Sequence, residues 1–260
     1  MMRWMQSAIG ACRALRPTLR PGRESFIQLA LPAMCAGCES DLEQSPDLPL
    51  CTNCLRLFGP AESVCSRCAA PAPAAAINSQ GCPYCRGTPF RFQQATALGV
   101  YQGELRSFVL RMKHLTGESL SLAAGQLLGQ HIRGLGWPEL PDLITAAPMH
   151  WMRRVWRNVN APAVIAEPTA KVLRLPLLLD LLRAARMVPR QSSLTADQRR
   201  RNMRGAFAAS RAFDIRDAHV LVIDDVMTTG ATANALARPL LKAGAKTVSI
   251  AVVARSILPA

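Results

Sequence analysis

Residues 219–236 read HVLVIDDVMTTGATANAL, and the reading of this stretch decides the fold. Val220, Leu221, Val222 and Ile223 form an apolar run with no polar alternation, the pattern of a short strand buried on both faces. Two adjacent acids follow, Asp224 and Asp225, although neighbouring carboxylates repel each other. The order makes sense at the carboxyl end of a strand, where water or a ligand can solvate both. There the pair can accept hydrogen bonds from the vicinal hydroxyls of a ribose and help hold magnesium through water. Thr228, Thr229, Gly230, Ala231 and Thr232 then turn into a helix N-terminus. Main-chain N–H groups, the helix dipole and the threonine hydroxyls there form an anion site suited to a phosphate monoester. Gly230 lets the backbone approach a ligand closely. Diol-reading acids beside a phosphate cup describe a 5-phosphoribose pocket.

Working outward, ATALGVY (from Ala95) reads as a strand and GELRSFVLRMKH as an amphipathic helix burying Leu105, Phe108, Val109 and Met112. LSLAAGQLLGQHI is a second helix, PDLITAAPMH ends a strand, and APAVIAEPTAKVL is helical despite two prolines. After the opening stretch come ATANALARPLLKAGA, a helix closed by Gly244, and the last strand, TVSIAVVAR. Strands alternating with helices predict a parallel sheet flanked by helices, with ligands bound past the carboxyl ends of strands. Two rival readings of the acid pair fail. A P-loop NTPase needs GxxxxGK[ST], which occurs nowhere in the chain, and a receiver pocket places its acids on an early strand rather than the penultimate one.

Eight of the nine cysteines fall into four Cys-x-x-Cys pairs: Cys35 and Cys38, Cys51 and Cys54, Cys65 and Cys68, Cys82 and Cys85. This spacing belongs to metal binding in a reducing compartment, not to a disulfide framework. Pairing in chain order gives two four-thiolate zinc sites, from Cys35 to Cys54 and from Cys65 to Cys85; an interleaved pairing stays open. Four thiolates leave no open coordination position, so both zincs would be structural. The intervening sequence is poor in large apolar residues, so metal binding would supply much of the module's folding free energy.

Lys and Arg total 31 against 17 Asp and Glu, a net charge of +14 carried mostly by arginine, which implies anionic partners. The first 23 residues hold five arginines and no acid, and they lack the apolar core of a secretory signal; they read as a basic, disordered tail. No window approaches the ~18 uninterrupted apolar residues of a membrane span. With the reducing-compartment cysteine pattern, these features predict a cytoplasmic protein.

VLVIDDVMTTGATA resembles the phosphoribosyl pyrophosphate (PRPP) loop of type I phosphoribosyltransferases. Preceded by paired Cys-x-x-Cys knuckles, it resembles the ComF family, linked to DNA uptake and use in bacteria. The likeness runs from about Leu31 to Arg255 and includes YQGELRSFVLRMKH, APMHWMRRVWRNVN and RQSSLTADQRRRNMRGAF. It implies a type I phosphoribosyltransferase-like parallel sheet over residues 90–260, a double zinc ribbon over 31–88 and a tail over 1–30.

The resemblance also implies roles. Asp224 and Asp225 would hold the ribose hydroxyls and magnesium, and Thr228 through Thr232 the 5-phosphate. His150, Arg153, Arg157 and Asn160 fit the pyrophosphate loop, where Asn158, Val159, Asn160 and Ala161 replace the usual Gly-Phe-Asn-Gln. Arg186, Arg190, Gln191, Arg199 and Asn202 fit the mobile loop that closes over the site. From Arg183 to Arg211 that segment carries eight arginines and a single acid, Asp197. The function implied is magnesium-dependent transfer of phosphoribosyl from PRPP to a nitrogen acceptor. A second reading is a non-catalytic protein of DNA uptake that keeps the pocket for ligand binding. It would contact single-stranded DNA, or dock on an uptake helicase through its ribbon.

Overall fold

The computed structural model describes residues 33–42, 48–59, 62–149, 159–186 and 203–257. Four parallel strands form the central sheet in the order β1–β6–β5–β2: β1 Gln94–Val100, β2 Leu143–Ala146, β5 His219–Met227 and β6 Thr247–Arg255. The central pair, β5 and β6, carries the most continuous apolar runs, as strands covered on both faces must.

Side-chain alternation along these strands divides the core into two layers. On one face Val220, Val222, Val248, Ile250 and Val252 pack under α5 (Ala231–Lys242), which turns Ala233, Leu236, Ala237 and Leu240 inward at helical spacing. On the other, Leu221, Ile223, Ala251 and Val253 meet α2 (Gly103–Arg111), α3 (Glu118–Gly134) and α4 (Ala161–Leu173). Leu105, Phe108, Val109 and Met112 are all buried there, as the periodicity of α2 predicts. Helices α3 and α4 approach closely because Gly125 lies against the Ile165 carbonyl; a Cβ at Gly125 would come within 2.2 Å of that oxygen. Thr169 donates its hydroxyl to the Gly125 and Ile165 carbonyls, each at 2.8 Å. Pro168 inside α4 is accommodated, and the helix ends at Arg174 with φ of 58°.

Both cysteine groups are built into this core. Cys35 and Cys54 pack with Phe58 and Phe108 on the α2 side of the sheet. Cys65, Cys68, Cys82 and Cys85 pack with Phe92 and Ala95 on the α5 side. The two groups thus flank edge strand β1, whose Ala95 N–H donates to the Ser66 carbonyl at 2.9 Å. A covered edge cannot template pairing with another chain. The short helix α1 (Thr52–Arg56) belongs to the first group and starts at Cys51.

Helix α1 and one strand pair have no counterpart in the sequence reading. Strands β3 (Leu182–Ala184) and β4 (Phe207–Ala209) form an antiparallel pair apart from the main sheet. Each is three residues long, too short for alternation to register. Among the described residues, no helix is long and apolar enough to cross a membrane.

Candidate functional site

Strand β5 runs past both aspartates: Asp224 pairs with Val252 and Met227 with Arg255. The acids therefore remain in the ladder, where the sequence suggested that they leave the sheet for water. Burial, with the neighbouring Asp225 charge adding to it, pushes the Asp224 carboxyl well above the ordinary carboxylate range. Its Oδ1 accepts from the Asp225 N–H at 2.9 Å, and Asp225 Oδ1 accepts from the Val226 N–H at 2.7 Å.

The two side chains have different surroundings. Asp224 lines a cavity of about 20 Å³ together with Thr228, Gly230 and Thr232. That is room for one water-sized group. Asp225 instead meets Lys113, whose Nζ lies 2.6 Å from Oδ2, with the two side chains 23% and 16% exposed. The sequence pattern does not single out Lys113 as a partner of these acids. That an ammonium from beyond α2 reaches the acids of β5 depends on tertiary packing, which spacing does not encode.

The Thr228–Thr232 turn has the form expected. Gly230 adopts φ of +76° and caps α5, and a Cβ there would come within 2.8 Å of the Phe90 ring. The first-turn amides of α5 have no acceptor within the helix. The Thr229 hydroxyl accepts from the Ala231 N–H at 3.4 Å. Acid, hydroxyls and helix N-terminus therefore converge at one sheet end.

Of the remaining site residues read from sequence, Asn160 stands at the start of α4 and Arg186 at the end of β3. Asn160 Oδ1 is buried without a partner among the described residues. Arg186 donates to the Arg204 carbonyl through Nε at 3.2 Å and NH2 at 2.8 Å, bracing the base of the β3–β4 pair. His150, Arg153, Arg157, Arg190, Gln191, Arg199 and Asn202 lie outside the described residues.

The cysteines group in chain order. Cys35, Cys38, Cys51 and Cys54 bring their sulfurs within 4.8 Å of one another, and so do Cys65, Cys68, Cys82 and Cys85. Sulfur separations are 3.7 Å for Cys38–Cys51, 3.8 Å for Cys65–Cys85 and 3.6 Å for Cys68–Cys82. The edge of a tetrahedron with ~2.3 Å metal–sulfur bonds is about 3.8 Å, whereas a disulfide requires about 2.05 Å. Main-chain amides point at sulfur, as from Cys51 N to Cys35 Sγ at 3.2 Å. Hydrogen bonds from Ser40 hold the Cys38 thiol down to about 6, while burial pushes Cys54 up. Four thiols packed this closely cannot all ionise unless a cation lies among them. Both donor sets fit a structural tetrahedral metal ion.

A second feature lies outside the acid pocket. A groove of about 770 Å³ follows the outer face of α5 past Ala231, Ala235 and Pro239; Arg91, Arg204, Arg238 and Lys242 line it, with no acid among the described residues there.

A sequence model of the phosphoribosyl transferase domain matches residues 162–257. The DNA utilization protein YhgH of Salmonella typhi is 30% identical over 234 residues, covering 88% of this chain and all of that protein. Competence protein F of Haemophilus influenzae is 22% identical over 236 residues, covering 88% of this chain and 93% of that protein. Among solved structures, glutamine PRPP amidotransferase from B. subtilis superposes with a TM-score of 0.38 at 19% identity, over 55% of this chain and 30% of that one. The last likeness is too weak to add to the argument. With a phosphoribosyl transferase domain, two tetracysteine groups and a full-length relative at 30% identity, the chain belongs to the ComF family.

Proposed function

We propose that this protein binds PRPP and transfers its phosphoribosyl group to a nitrogen nucleophile in the cytoplasm. One observation carries the reading: Asp224 lines the same small cavity as Thr228, Gly230 and Thr232, at the junction of β5 and α5. A carboxyl beside a helix N-terminus matches a ligand with hydroxyls at one end and a phosphate at the other.

On this reading the Thr228–Thr232 turn takes the 5-phosphate, and Asp224 and Asp225 take the ribose hydroxyls. The C1–O bond to pyrophosphate breaks, pyrophosphate leaves with the electron pair, and a C1–N bond forms as the acceptor loses a proton. Positive charge develops at C1, as in glycoside cleavage. The chain contributes position and electrostatics without a covalent nucleophile. Magnesium, held through Asp224, Asp225 and the ligand's own oxygens, would neutralise the leaving group. Asn160, with His150, Arg153 and Arg157 of the preceding loop, would meet the pyrophosphate, and the loop within residues 183–211 would close over it. Zinc in the two tetracysteine groups would organise a ribbon over 31–88 ahead of a transferase-like domain over 90–260. The test is release of pyrophosphate from labelled PRPP with a panel of amines and bases. Turnover with at least one acceptor is expected, and none with any acceptor would reject catalysis.

The groove along α5 favours a second reading, in which the same fold handles single-stranded DNA in an uptake process. It suits the names of the relatives, a DNA utilization protein and a competence protein. Four cations without an acid predict a log–log salt slope of roughly −3 for oligo-dT. Replacing Arg238 and Lys242 by Gln should reduce that slope by roughly 1.4. Affinity independent of salt would exclude this reading.

A further inference from the structure

Arg255 ends strand β6 and is only 4% exposed. A buried guanidinium is costly unless its five N–H groups and its charge are both satisfied. The N–H groups on Nε and NH1 go to main-chain carbonyls from two directions. Nε donates to the Cys68 carbonyl at 2.8 Å, inside the second cysteine group. NH1 donates to the carbonyls of Met227, at 3.2 Å, and of Thr228, at the entrance of the phosphate turn, as well as to that of Ser256. One rigid, planar side chain thus joins the cysteine group to the turn.

A metal ion in the second cysteine group would answer its charge as well. A divalent metal ion held by four thiolates carries a net charge of −2. Cys65, Cys68, Cys82 and Cys85 are all at most 1% exposed, so that charge needs a cation nearby. A second link runs parallel to the first. Arg67, inside the same group, donates to the Gln80 carbonyl at 2.6 Å and the Thr88 carbonyl at 2.6 Å. Its guanidinium also covers the Phe90 ring at 5.5 Å, and that ring faces the Cα of Gly230. Two positions of the turn, Thr228 and Gly230, therefore rest on residues tied to the Cys65–Cys85 group.

We infer that the Cys65–Cys85 metal site sets the conformation of the phosphate turn, with Arg255 as the positioning residue that couples them. The inference rests on the turn binding a sugar phosphate, as proposed above. Coupling between two sites is reciprocal in binding free energy. If metal at this site shapes the turn, then ligand at the turn must tighten metal at this site.

The experiment uses the full zinc-loaded chain. Zinc retention is measured at equilibrium against a competing chelator, with and without saturating ribose 5-phosphate, whose binding is measured separately by calorimetry. Cysteines freed at half-release are alkylated and located by peptide mass spectrometry. The expected result is a rise in zinc affinity of about fivefold or more. Protection should be greater in the Cys65–Cys85 peptides than in the Cys35–Cys54 peptides. Arg255→Met should abolish this difference, and Arg255→Lys, whose single ammonium cannot span both sets of carbonyls, should reduce it. If neither variant folds, the comparison of the two groups in the unaltered chain decides. Ribose 5-phosphate that binds without changing zinc retention, or that protects both groups equally, overturns the coupling and leaves the ligand reading intact. Ribose 5-phosphate that fails to bind overturns the ligand reading, and the coupling with it.

Discussion

Replacing Lys113 by Met tests whether the acids at the end of β5 depend on a cation supplied by the fold. The substitution keeps an apolar stem of similar length and removes the ammonium 2.6 Å from Asp225 Oδ2. A fully buried ion pair broken on one side costs about 3–5 kcal/mol. An exposed pair is worth at most about 1 kcal/mol. With side chains 23% and 16% exposed, this pair falls between them, and a loss of roughly 2 kcal/mol is expected. Asp225 Oδ1 is already used by the Val226 N–H, so that bond cannot compensate for the loss at Oδ2. Urea unfolding followed by tryptophan fluorescence would register a midpoint lower by about 1 M, taking a slope of about 2 kcal/mol per M. Asp225→Asn in the Lys113→Met background removes the stranded charge and should recover most of the loss, a coupling of about 1–2 kcal/mol in the double-mutant cycle. A single-variant loss below about 0.5 kcal/mol, or simple additivity in the cycle, would refute the reasoning.

Three further outcomes follow from the same geometry. Gly230→Ala combines a left-handed φ with a clash against Phe90 and should cost roughly 1–3 kcal/mol, while Gly134→Ala, with open space around it, should be neutral or slightly stabilising; equal effects in thermal denaturation would contradict this. Emission spectrometry should find two zinc ions per chain, falling to one in Cys82→Ser, and iron in their place would overturn the zinc assignment. Because burial raises the Asp224 pKa, the folded state binds this proton more tightly than the unfolded state does. Its contribution to stability is complete below the unfolded carboxylate pKa and is lost as pH rises through the folded value. In magnesium-free buffer Asp224→Asn should therefore flatten the fall in melting temperature over that window, and parallel curves for the two proteins would disprove it.

The strands, the long helices and the Thr228–Thr232 turn were legible because each rests on local pattern. The apolar run of β5, the inward face of α2 and the glycine after two threonines declare themselves within a few residues. The cysteine spacing likewise announced two metal sites, and the fold resolved the pairing in favour of chain order. What the sequence concealed is long-range. That the two cysteine groups sit on opposite faces of the sheet depends on where edge strand β1 lies between them. Lys113 reaches Asp225 only after α2 has packed. Arg255 did leave a signal, an arginine closing a mostly apolar strand, but apart from Ser256 its partners lie at residues 68 and 227–228, far from it in the chain. Strands β3 and β4 are too short for any periodicity to reveal.

The central claim is that the carboxyl end of β5 and the turn after it hold a phosphorylated ribose. Calorimetry with PRPP and magnesium, comparing the unaltered chain with the Asp224→Asn/Asp225→Asn double variant, tests it most directly. The account predicts saturable binding by the unaltered chain and at least tenfold weaker binding by the variant, a difference of about 1.4 kcal/mol. Equal affinity in the two proteins, or no heat of binding in either, would contradict it.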